Sequence, residues 1–574
     1  MSLQRWLENF RVRLSRPDAI LPLSILGLIA GMFAAITIIA LRLFVDFAQL
    51  TLLPMTTVGD FAEIPALLRA LIAIFGGCLI GLLFLLTPGS THTVGLVHIF
   101  ERLAYHQGRL PFKSAVVQFI GGAISMITGH SVGREGPSAH LGAASSNLPA
   151  QALDLPNNSL RILAACGAAA GIAASFNTPL AGAAFAMEVL LMEYSVTGFA
   201  PVILATVSAT ALTRAVFGSS LTFSIPHLPP GSLIELPYIL LCGVLIGILG
   251  AGFNHMFQYA SSWRNKMPEW FAPVVAGIIV AACGFWVPEI MGMGDATVNS
   301  ILLGHKGFTF LLLLIVFKMI ATTGGIGLGL PGGIIGPMLF IGAASGALLN
   351  AAGVAIGITD AGSVGLYAMI GMGAMMAGTM QAPLAGLIAI LELTGEPNFI
   401  LPGMLAVVAA TISCAYLTKH ESLLQSLLRA RGLDYSNDPL AQSLRRIGVA
   451  AVMSKKIEVM PVVASPEQVD EVLKKEPGWV LLREDESQDI LLAAIDLARA
   501  RKEIPDEESY LLKEIPGTRL ETETIDMRAT MHEAQNRIEE KGAQALIVIS
   551  QTVPGLPRVL GVLTPDDIRA SYKL

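Results

Sequence analysis

Residues 129–146, GHSVGREGPSAHLGAASS, set Arg134 and Glu135 side by side among glycines, a proline and small residues, in one of the most apolar parts of the chain. An ionised carboxylate is costly in hydrocarbon, so an acid at that depth is a functional candidate by default. Gly133 and Gly136 let the backbone turn, and Pro137 suits a first helical turn, where its missing N–H is not needed. A helix N-terminus offers unpaired backbone N–H groups and the positive end of the helix dipole, a combination that attracts an anion. A carboxylate at the same point competes with that anion, and its protonation or displacement frees the place. Glu135 is therefore expected to act as a gate.

The pattern recurs. GREGPSAHLGAAS at 133–145 and GIIGPMLFIGAAS at 333–345 share GxxGPxxxxGAAS, and PLAG appears at both 179–182 and 383–386. Each PLAG is followed by a glutamate nine positions after its proline, Glu188 and Glu392. Two matched blocks in the same order, at nearly the same offset, indicate a duplication. Duplicated halves with Gly/Pro-interrupted apolar segments at corresponding positions point to a transport site at the repeat interface. Two helix tips facing each other there would hold an anion without a buried cation that retains it too long. A plainer alternative stays open for the glycines alone: they permit close helix packing, with Glu135 paired to Arg134 at an aqueous rim.

The elements that position these groups must sit in lipid. The 574 residues are 53% hydrophobic and only 14% charged, against roughly 25% charged in soluble domains. Apolar runs of spanning length recur, at 19–42, 65–86, 236–253, 271–287 and 309–322. The first is too long for a signal peptide, and no small-residue cleavage site follows it. Arg5, Arg11, Arg13 and Arg16 before it favour a cytoplasmic N-terminus. Cys78, Cys166, Cys242, Cys283 and Cys414 lie in apolar surroundings without CxxC spacing and read as packed thiols. The formal net charge of −6 decides little, because the field at a pore depends on local groups. Composition turns soluble near residue 418. The expected division is a cytoplasmic segment at 1–18, a membrane domain at 19–418 with halves 19–215 and 236–418, a linker at 419–446 and a soluble domain at 447–574.

GREGP at 133–137, GGIIGP at 332–337 and the NTPLAG/QAPLAG pair resemble the CLC chloride channel and transporter family, and the likeness runs from about residue 20 to the end. The resemblance implies an all-α, multi-pass, inverted-repeat membrane domain in a bacterial inner membrane, working as a homodimer with one pore per subunit. It makes Glu135 the gating glutamate. Backbone amides around Arg134–Gly136 and at Ile334 and Ile335 become anion ligands, and the Arg134 side chain helps at the outer mouth. Chloride or a similar small anion is the expected cargo, membrane lipid the expected surroundings, and no nucleic acid partner is expected.

Three positions depart from that family's pattern. Val94 stands where a pore serine is usual; Ser90 would serve only if the helix start were shifted. Leu424 stands where a pore tyrosine is usual, so selectivity over nitrate, bromide or fluoride is open. Val189 replaces the inner proton acceptor, and Glu193 falls on another helix face, about 500° further round. Valine cannot relay a proton, so the leading expectation is passive anion conduction, with 2:1 chloride/proton exchange as the alternative. His130 and His140, flanking Glu135, are expected to be satisfied helix residues, with proton carriage as the alternative.

Other signals are weaker. GLGLPG at 327–332 fits a dinucleotide pattern but has no strand–helix–strand unit around it. Lys318 and Arg214 are membrane cations that should bond carbonyls or snorkel. Glu392 should serve helix packing at the cytoplasmic side, while for Glu188 packing and transport both stay open. Beyond 447, short β-rich runs alternate with helical stretches, an α/β pattern whose ends resemble a paired CBS module. Thr564 and Asp567 in GVLTPDD fit its ribose-phosphate pattern, so an adenine nucleotide is a candidate ligand, with a structural or dimerising module the leading reading. No other cofactor and no metal is expected. An intramembrane aspartyl protease needs two membrane aspartates, and GMGD at 292–295 has no partner motif; no HExxH appears either, so no enzyme is expected.

Overall fold

The computed structural model describes residues 3–193, 195–219, 221, 223, 233–360, 363–433, 439–483, 489–503, 509–550 and 558–571. It divides into two compact units, residues 23–151 with 161–435, and residues 1–22, 152–160 and 436–574.

In the larger unit the duplication is one of helices. Ile20–Leu52, Ala66–Leu86, Gly95–Tyr105, Phe112–Ile127, Glu135–Ala152, Asn157–Phe176, Pro179–Phe185 and Val196–Phe217 form the first set. Leu236–Arg264, Ala272–Trp286, Asp295–Leu302, Phe308–Gly327, Ile335–Ala355, Val364–Met380, Pro383–Thr394 and Ile400–Leu417 match them in order. Among the described residues, eight helices are long and apolar enough to cross a membrane. Large apolar side chains such as Leu71, Phe75 and Leu245 are exposed on them, as a lipid-facing surface requires. Small residues bring the inner helices together. A Cβ on Gly142 would strike the Gly167 carbonyl, and one on Gly342 would strike that of Gly371, at equivalent places in the two halves. Cys166, Cys242, Cys283 and Cys414 are buried free thiols as expected, but Cys78 lies on an exposed face of its helix.

The smaller unit is α/β. Strand Ile457–Pro461, helix Pro466–Leu473, strands Trp479–Arg483 and Ile490–Ala493 and helix Ala494–Glu503 make one copy of a strand–helix–strand–strand–helix motif. Arg519–Asp526, Met531–Lys541, Ala545–Ser550, Arg558–Leu563 and Pro565–Ser571 make the second. In each copy the first two strands pair parallel and the next pair antiparallel. Ile490–Ala493 and Arg519–Asp526 join the copies into one six-stranded sheet. The first helix of each copy opens on a reciprocal cap, Ser465 with Gln468 and Thr530 with Glu533.

Two boundaries differ from expectation. The N-terminal helix Leu3–Leu14 belongs to this α/β unit: Gly448 N–H donates to the Ser15 carbonyl at 2.9 Å, and Asn158 Nδ2 donates to the carbonyls of Leu14 and Arg446. The expected linker is largely helical, with Leu423–Arg429 in the larger unit and Pro439–Arg446 in the smaller; residues 434–438 lie outside the described residues. The polar shift after 418 marks the end of lipid-facing sequence, not of packing, since Leu423, Leu424, Leu427 and Leu428 are buried.

Candidate anion site

The two GxxGP segments meet. Gly133 and Gly333 form an antiparallel bridge, with N–H to carbonyl distances of 2.8 and 2.7 Å in the two directions. Their helices start two residues later, at Glu135 and Ile335. The antiparallel sense sets the tips head to head, as an inverted repeat requires. Only glycine fits here: a Cβ on Gly136 would stand 2.5 Å from the Gly332 carbonyl oxygen and 2.7 Å from the Gly333 Cα.

Glu135 crosses this gap. It is 0% exposed, and its Oε1 accepts the Ile335 N–H at 2.5 Å. Its Oε2 is buried and makes no hydrogen bond, with the amides of Gly336 and of Glu135 itself nearby. One tip thus supplies an acid and the other an amide that binds it. This is the arrangement an anion would adopt, with a carboxylate in the anion's place.

Two cavities approach the junction, and neither wall includes Glu135. One, of about 180 Å³, is lined by Val132, Arg134 and Ser138 together with Arg42, Asp46 and Asp295. Arg134 also lies over the Phe176 ring at 5.5 Å, and its Nε has no partner. The other, of about 60 Å³, is lined by Val94, Gly332, Gly333, Ile334 and Leu424, with Arg264 and Arg431 also on the wall. Val94 and Leu424 thus share one cavity wall and present apolar side chains there. Ser90 lies exposed in the single turn Gly89–Thr91 and is not on this wall. Gly327, Gly329 and Gly332 of the GLGLPG segment line the same cavity just before the second tip.

Glu188 and Glu392 have a shared task. Glu188 accepts the N–H groups of Leu384 at 3.1 Å and Ala385 at 2.8 Å, and Glu392 accepts those of Leu180 at 3.0 Å and Ala181 at 2.8 Å. Each PLAG helix start is capped by the glutamate of the other repeat. Val189, beside Glu188, is buried in the wide π turn Ala186–Leu191, while Glu193 takes the Ser195 hydroxyl at 3.4 Å.

The histidines are only half satisfied, contrary to expectation. His130 Nδ1 meets Thr128 Oγ1 at 2.9 Å while its Nε2 is unpartnered. Arg102 Nε donates to His98 Nε2 at 3.1 Å, and His98 Nδ1 faces His140 Nε2 at 2.8 Å. The arginine can only donate, so it places the His98 proton on Nδ1 and the His140 proton on Nδ1, which has no partner. Lys318 Nζ donates to the carbonyls of Ile290 and Gly292 at 2.8 and 2.9 Å, as expected of a buried membrane cation. Arg214, exposed on its helix, donates to the side-chain carbonyl of Asn177. Arg264, Arg431 and His98 were not singled out from sequence; a basic LLRARGL run beside Leu424 was the available signal for Arg431 alone.

A family model described as voltage gated chloride channel matches residues 76–415, a span that includes both tips. The chain belongs to the CLC family. Among CLC relatives, a ClcB-like protein of Ralstonia nicotianae is 31% identical over 388 residues, covering 66% of this chain and 89% of the relative. An H(+)/Cl(−) exchange transporter ClcA of Vibrio parahaemolyticus is 30% identical, covering 57% of this chain and 71% of the relative. In fold the chain resembles a slow cyanobacterial Cl−/H+ antiporter, with a TM-score of 0.62 and 23% identity over 72% of this chain and 97% of that one. It also resembles a eukaryotic CLC transporter, with a TM-score of 0.61 and 20% identity over 95% of this chain and 98% of that one. The chain is a multi-pass CLC-family anion transporter, with an α/β region at its C-terminal end.

Proposed function

We propose that the protein exchanges chloride for protons, with Glu135 as the group both ions use. The observation that carries this reading is the Glu135 carboxylate bound to the Ile335 amide at 2.5 Å, inside the junction of the two tips. Protonation removes the charge that holds it there, so proton arrival and anion entry become alternatives at one place. Relatives named as H(+)/Cl(−) exchange transporters support the coupling. Arg264 and Arg431 draw anions into the Leu424 cavity, taken as the cytoplasmic approach. His140, on the Glu135 helix and hydrogen-bonded to His98, is the candidate for the acceptor missing at Val189.

A second reading, passive conduction, is favoured by two facts: Val189 holds no proton, and Glu188 is engaged as a cap. One experiment separates them. In liposomes carrying the purified protein, chloride and pH are recorded together under a chloride gradient. Exchange drives protons uphill; chloride movement without protons leaves the channel reading.

We further propose that the protein is a homodimer in the inner membrane, with both termini cytoplasmic and a CBS pair at 447–574. Two strand–helix–strand–strand–helix copies support the last assignment. Thr564 Oγ1 and N–H both bond Asp567 Oδ2 at 2.8 Å, so these two groups are spent on a helix cap, which favours a structural or dimerising module over a nucleotide site.

A further inference from the structure

Gln118, on the Phe112–Ile127 helix, is fully buried, and neither its Oε1 nor its Nε2 has a hydrogen-bond partner. A primary amide carries two donors and two acceptor lone pairs. Leaving such a group unpaired in a dry interior is costly, so the site must ordinarily satisfy it with something else.

The surroundings name the candidate. The Nε2 is 3.1 Å from the point where a Cβ on Gly122 would stand, and Pro137, in the first turn of the Glu135 helix, is 3.0 Å from that point. The Oε1 is 3.9 Å from the corresponding point on Gly95, and the Gly332 carbonyl is 3.7 Å from it. Gly95 opens the Gly95–Tyr105 helix, and both Gly95 and Gly332 line the Leu424 cavity. The amide thus lies near three helix starts, behind Gly95 and Gly332 and not itself on the wall of the cavity they line with the apolar Val94 and Leu424. Its two ends interchange by rotation about the last side-chain torsion without breaking any hydrogen bond, because none is made.

We propose that the Gln118 side chain is an anion ligand of this chain, its N–H2 turned toward the Gly95–Gly332 side to donate to a small monovalent anion. This rests on the anion-transport reading and adds a specificity-determining side chain to it. The donor compensates for the two apolar positions. A neutral amide binds without the full charge that would slow release.

Binding and transport are read separately. Chloride binding to purified wild-type protein, Gln118→Met and Gln118→Lys is measured by titration calorimetry, with folding checked by size-exclusion profile and thermal unfolding. Methionine keeps the shape and removes the donors, and the chloride Kd should rise about tenfold. Lysine restores donors with a charge, and the Kd should fall below that of wild type. Equal Kd values in wild type and Gln118→Met, or the same loss in both variants, would overturn the assignment, because a space-filling residue or a water-bonded amide gives those results. Should methionine prevent folding, the direction of the lysine shift alone decides. Chloride flux by wild type in liposomes tests the transport reading independently: absent flux sinks that reading, while the binding shifts still judge Gln118.

Discussion

The two repeat halves reuse one backbone in two ways. At Glu188 and Glu392 the acid is present in both copies, and each carboxylate caps the helix start of the other half with two N–H bonds. At the tips only one copy has an acid: Glu135 faces Ile335, which offers its amide and no competing charge. The chemistry is the same in both places, a carboxylate on a helix N-terminus. Kept in both copies, it pins two helices together with every partner matched. Kept in one, it leaves Oε2 without a hydrogen bond beside a junction flanked by two cavities. The matched acids each hold two N–H groups, whereas the unmatched one holds a single N–H of the opposite half.

That contrast can be broken most sharply at Glu135. Glu135→Ala removes the competitor from the Ile335 amide, so proton movement should fall to background while chloride flux persists under every gradient. Simultaneous pH and chloride recording checks this, and continued uphill proton movement would place the gate elsewhere. Next in size is the meeting of the tips. Gly333→Ala would drive its Cβ into the Glu135 carboxyl and within 2.5 Å of the Gly136 nitrogen. Overpacking of this kind costs roughly 1–3 kcal/mol, seen as a lowered unfolding temperature, with loss of normal gating. The smallest effect belongs to the matched pair. Glu188→Gln and Glu392→Gln each replace charge-assisted bonds with a neutral acceptor, at about 1 kcal/mol apiece. The two variants should lower the unfolding temperature by similar amounts and leave chloride flux in place. A Glu188→Gln that abolished proton coupling while Glu392→Gln did not would show that the halves are not equivalent there.

Much of this was legible in the chain. The GxxGP repeat announced two helix starts, and Glu135 was conspicuous because an acid among glycines in lipid has few other uses; that Val94 and Leu424 share a cavity wall came only with the fold. The α/β alternation after 447 was equally plain. Other features were hidden because their meaning depends on what packs against them. Gln118 reads as an ordinary polar residue on a helix until both ends of its amide prove unpartnered. Arg264 ends an apolar helix and Arg431 sits in a basic run; only folding puts both on one cavity wall. Lys318 was read correctly as a carbonyl-bonded cation, since a charge buried in lipid must find donors or acceptors of its own protein.

By itself the sequence determined that this chain lies in a membrane, that its membrane part is doubled, and that one copy carries an acid at its GxxGP helix start; composition, periodicity and glycine–proline punctuation are local properties. Tertiary structure alone decided that the two tips touch, that Glu135 bonds the opposite half, and that Glu188 and Glu392 cap each other's helices. Those bonds join residues about two hundred positions apart, and a chain reports no such distance until burial and backbone hydrogen bonding have fixed which segments meet.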